Sequence, residues 1–131
     1  MSNNEFPFSL TISKDLIKDS INGKKVLDIL DKEEPRIKLY IEKSCIKYNE
    51  IMNVVKNSFE QKTALKYKIC KYEDTGDGDI IKEVYLHVPE LVIKELESKG
   101  YKPKIIESKI LSNYYFSYYI ITLFLVCDFS E

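Results

Sequence analysis

The chain is short of the residues that chemistry usually needs. Among its 131 residues there is one histidine, His87, and one arginine, Arg36. With no Cys or His at ligand spacing near His87, a zinc site would need distant ligands. As a general base, His87 would need a nucleophile and an orienting partner, and the sequence points to neither. The three cysteines, Cys45, Cys70 and Cys127, form no CxxC pair, and their odd number suggests free thiols in a reducing compartment. The opening MSNNEFPF has no basic segment followed by an apolar one, so it does not read as a signal peptide, and a cytoplasmic, non-secreted protein is expected. The longest apolar run, Tyr114–Cys127, falls short of the roughly 20 residues a membrane-crossing helix needs. A formal net charge of −1 gives no global pull towards nucleic acid or an anionic membrane. No catalytic, metal or nucleotide motif is present, no internal repeat appears, and no cofactor is expected.

What the chain does have is periodicity. Ile37, Ile41, Cys45, Tyr48, Met52, Val55 and Phe59 step by three or four residues after Pro35, which predicts an amphipathic helix over about 35–61. Ala64–Tyr72 alternates Leu65, Tyr67 and Ile69 with Lys66, Lys68 and Cys70, the pattern of a strand with a lysine-bearing face. Val84–Ser108 reads as a strand, a short helix starting at Pro89, a stop at Gly100 and a second extended segment at Ile105 and Ile106. Ile80–Val88 would then be a strand, joined to Ala64–Tyr72 by the acidic loop Glu73–Asp79. Tyr114–Cys127, rich in Tyr, Phe and Ile, is expected to be a strand apolar on both faces. Near the start, Phe6, Phe8, Leu10 and Ile12 alternate as in an edge strand, since Pro7 cannot donate to a ladder. Ser13 suits the N-cap of a helix over Lys14–Ile21, and Lys24–Asp31 suggests a second short helix. Together these predict one α+β domain over residues 1–131. An N-terminal strand and short helices (1–34) lead into a core (35–131) of a small antiparallel-rich sheet, covered by one long amphipathic helix and shorter ones.

Four constellations stand out. The Glu73–Asp79 loop has calcium-loop composition, but an EF-hand alignment on Gly78 puts Val84 where the bidentate glutamate belongs. A solvated hairpin loop is the expectation there, with a weak surface cation site as the alternative. His87 is expected to be a half-exposed strand residue, and Cys45 a core residue. Charge is uneven: Arg36, Lys38, Lys43, Lys47, Lys56, Lys62, Lys66, Lys68 and Lys71 face only Glu42, Glu50 and Glu60 over Arg36–Tyr72. Of these, Lys62, Lys66, Lys68 and Lys71 make a basic strip beside Tyr67 and Tyr72. That strip is either a solvated face or the mixture used by single-stranded nucleic-acid binders. Lastly, Tyr114, Tyr115, Phe116, Tyr118, Tyr119 and Phe124 form an aromatic cluster that suits a core and a protein interface equally.

Several of these pieces also carry a resemblance. The helix ending near Phe59, the strand ALKYKI, the segment LHVPELVIKELESKGYKPKII and the aromatic strand YYFSYYIITL follow one another over about residues 36–125. Within them, L-x4-L-x3-G-Y runs from Leu91 to Tyr101. This layout resembles that of small uncharacterised proteins of large DNA viruses, tailed phages and giant viruses alike. The chain departs from it in its long acidic loop and in Pro103. The resemblance implies a viral accessory or virion protein, located in the host cytoplasm or the particle, and it transfers no catalytic residues. The function expected is therefore non-enzymatic: binding of a protein partner or self-association, with nucleic-acid binding through the basic strip as the alternative.

Overall fold

The computed structural model describes residues 5–30, 34–74, 78–111 and 119–130. The fold is α+β. Four helices, α1 (Lys14–Asp19), α2 (Ile21–Ile29), α3 (Glu34–Gln61) and α4 (Gly78–Ser98), accompany three strands, β1 (Ala64–Asp74), β2 (Lys104–Leu111) and β3 (Tyr119–Asp128). The sheet is antiparallel throughout, in the order β1-β3-β2.

The long helix forms as its periodicity predicts. Ile41, Tyr48, Ile51, Met52 and Val55 are buried in the core, while Cys45 is only partly buried against it. The helix ends where Lys62 takes a left-handed φ of 55°. There the Thr63 N–H donates to the Ser58 carbonyl and the Lys62 N–H to the Phe59 carbonyl, which satisfies the last carbonyls of the helix. The same pair of bonds closes α4 at Gly100, whose φ is 88°: Tyr101 N–H to Leu96 O, and Gly100 N–H to Glu97 O. Ser13 caps α1 as expected, accepting from the Leu16 N–H.

Three expectations are corrected. Ile80–Val88 is not a strand: it is the first half of α4, which continues through Pro89. The acidic loop therefore links a strand to a helix, and the sheet neighbour of β1 is β3. Val88, Val92 and Leu96, four residues apart, are buried together on one side of α4. Their burial outweighs the about 3 kcal/mol that an interior proline costs a helix. Second, residues 6–12 form no strand. Their alternation is that of an extended strap lying on the helices: the Asn49 amide donates to the Leu10 carbonyl, and Phe6 and Phe8 enter an aromatic cluster with Phe59, Tyr101 and Phe129. Third, the second short helix is α2, over Ile21–Ile29 rather than Lys24–Asp31. Of the short helices, α1 packs against α3 and α2 against α4.

Strand β3 is the central strand. Ile121, Leu123, Leu125 and Cys127 are buried under the helices, while Ile120, Thr122, Phe124 and Val126 on the other face are half-buried.

Candidate binding face of the sheet

The face of the sheet turned away from the core collects three of the four lysines of the basic strip and Phe124 of the aromatic cluster. On β1 it carries Lys66, Lys68 and Lys71, opposite Val126, Phe124 and Thr122 of β3. On the other side Lys104, Ile106, Ser108 and Ile110 of β2 stand opposite Val126, Phe124, Thr122 and Ile120. None of these side chains is buried, and all those of β1 and β2 are exposed. Ile106 is 36% and Ile110 57% exposed.

Strict alternation along β1 would have turned Cys70 outward and Lys71 inward. A β-bulge between Lys68 and Cys70 reverses this, because the extra residue, Ile69, shifts the phase of the strand. Cys70 then faces the core and Lys71 joins the row begun by Lys66 and Lys68. The Lys66 ammonium lies 4.7 Å from the centre of the Phe124 ring, close enough for a cation–π attraction that holds it over the apolar middle of the face. Lys62 stands apart from this row, in the turn after α3. Of the aromatic cluster, Phe124 is on this face and the backbone of Tyr119 belongs to β3. Tyr114, Tyr115, Phe116 and Tyr118 lie outside the described residues, as does the middle of the acidic loop.

His87 is elsewhere and is not half-exposed: it is 0% exposed, on α4. Its Nε2 is 2.8 Å from the Ser20 hydroxyl and its Nδ1 2.5 Å from the Tyr40 hydroxyl. Ser20 is also the N-cap of α2, accepting from the Gly23 N–H. Gly23 is needed at this point, since an added Cβ would collide with the Ile17 carbonyl oxygen and stand 3.1 Å from His87 Nε2. Burial lowers the pKa of His87 and pushes that of Tyr40 up to about 12, so both rings are neutral. The Ser20 hydroxyl lies on a cleft of about 460 Å³, shared with Asp19, Tyr48, Lys94 and Glu95. The hydroxyl is occupied as a cap and the imidazole behind it is closed to solvent. The arrangement clamps the start of α2 to α3 and α4, with every nitrogen of the buried imidazole partnered. Strand alternation hid this cluster; the serine before an Ile-Asn-Gly helix start was its one sequence signal.

The cysteines are free. Burial pushes Cys70 up to about 11 and raises Cys127 as well, which leaves both as thiols at neutral pH. Among the described residues no group of three His, Cys, Asp or Glu side chains could hold a metal ion. No helix among them is long and apolar enough to cross a membrane. No protein-family model, curated protein or solved structure matches the chain.

Proposed function

We propose that the protein is a non-enzymatic protein-binding module that works through the open face of its sheet. The viral accessory or virion role implied by the sequence layout goes with this reading. The observation that carries it is the exposure of Ile106 and Ile110, across β3 from the lysine row, on a face that none of the described residues buries. Isoleucines do not stack on bases, but they do receive apolar side chains of another protein, and interfaces join such a centre to a charged rim. The lysines specify a partner that is acidic around its apolar contacts. A second copy laid face to face would instead oppose two lysine-bearing surfaces.

Panning a random peptide library on the purified protein tests this. Enriched peptides should combine Asp or Glu with apolar residues. Their binding should fall at least tenfold in K66E/K68E/K71E and in F124D, and should survive K94E on α4. Enriched peptides that are indifferent to the face substitutions would refute the reading.

One observation favours a second reading, in which the face binds single-stranded nucleic acid: Lys66 stacks on Phe124 within a row of three lysines. That reading requires oligonucleotide affinity to fall with salt, with a logarithmic slope of about −2 to −3 for three or four phosphate contacts. It requires the same triple substitution to abolish binding.

A further inference from the structure

Strand β2 lies at an edge of the sheet, and among the described residues its strand neighbour is β3 alone. In an edge strand every second residue turns both its N–H and its C=O outward. Two copies of one edge strand pair antiparallel only if outward residues meet outward residues. The two-fold axis must therefore pass through a residue, never between two. Within the sequence KIIESKIL of β2 this leaves few registers. An axis at Glu107 opposes glutamate to glutamate. An axis at Lys109 opposes lysine to lysine. An axis at Ile106 opposes Ile105 to Glu107. An axis at Ser108 opposes Ile106 to Ile110, Glu107 to Lys109, and Ser108 to itself.

In that last register every pair is complementary. It brings together the two exposed isoleucines of the strand, 36% and 57% exposed, on the open face. On the opposite face it brings together Glu107 and Lys109, both exposed. We propose that β2 is a homodimerisation strand. Two copies join edge to edge about an axis at Ser108 and form one continuous sheet, β1-β3-β2-β2-β3-β1. Charges on an edge strand ordinarily keep copies apart. Here the two signs sit at positions that exchange across the axis, so they select one register instead. The proposal uses the backbone edge of β2 and does not depend on what the open face binds. A strand pair this short buries less than the about 1,600 Å² of a standard interface, so the dimer dissociates on dilution.

Sedimentation equilibrium over a concentration series, with circular dichroism to confirm folding, tests the register. The wild-type chain should be a dissociable dimer. E107K alone and K109E alone should each weaken it by about tenfold or more, because two attractive cross-strand pairs become two repulsive ones. The double variant E107K/K109E should recover the dimer. A mixture of the two single variants should associate as a heterodimer, since position 107 of each copy faces position 109 of the other. S108C should cross-link two copies on mild oxidation, while I106C should give no more cross-linking than the wild-type cysteines do. A wild-type chain that stays monomeric up to millimolar concentration overturns the proposal. So does a dimer that the single charge reversals leave intact, or one that S108C does not cross-link.

Discussion

Lys62 holds a backbone conformation that suits glycine. At φ 55° its Cβ crowds the following carbonyl, a strain of about 1 kcal/mol or more for an L-residue. The position is set by the turn that closes α3, so the side chain contributes nothing the turn needs. K62G should raise stability by about 0.5–1 kcal/mol, read as a higher urea midpoint with an unchanged slope. It should leave peptide binding to the sheet face unaltered, because Lys62 is not in the row of Lys66, Lys68 and Lys71. His87 gives a second expectation. Its pKa in the fold lies below its ordinary value because it is fully buried. The unfolded chain therefore takes up a proton that the folded chain refuses. Stability is full above about pH 6.5 and declines as pH falls below it. Urea midpoints should be level between pH 7 and 8 and lower at pH 5.5, and H87Q should be less stable throughout but should lose that slope. A wild-type midpoint independent of pH across this range would mean that His87 is not held neutral.

Among the elements, α3 and β1 were legible because each has a single buried face, which gives α3 its helical period and β1 its alternation as far as the bulge at Ile69. M52D tests the first: Met52 is 0% exposed, so an unpaired carboxylate there should cost about 4 kcal/mol or more, enough to unfold much of the population. Wild-type thermal stability in M52D would place the α3 stripe outside the core. The helix α4 was not legible, for a definable reason. Val84, Leu86 and Val88 alternate, and Pro89 looks like a boundary, so local signals favour a strand. The helical spacing of Val88, Val92 and Leu96 straddles the proline and registers only when Pro89 is allowed inside the helix. Misplacing α4 also misplaced His87. The candidate face was half legible. Alternation places Lys66 and Lys68 together, but Lys71 joins them through the bulge. Ile106 and Ile110 join them through the strand order. Neither leaves a mark in a single-strand pattern.

At the scale of the whole molecule, helices cover one face of a three-stranded sheet, and none of the described residues buries the other. The final strand, expected to be apolar on both faces, fits this arrangement. One row of β3 supplies the core and the other supplies the middle of an exposed face. The short N-terminal helices pack on other helices, α1 on α3 and α2 on α4. The position of β3 also has a consequence for the birth of the protein on the ribosome. β1 and β2 are not neighbours, and among the described residues each pairs with β3, a strand made after both. Until residues 119–128 emerge, β1 and β2 have no ladder, and the apolar side of the helices has no sheet to close against. The helices can form as they are synthesised, but the sheet forms in one late event. Until β3 is made, the nascent chain presents the inner residues of β1 and the stripe of α3 as a surface for chaperones.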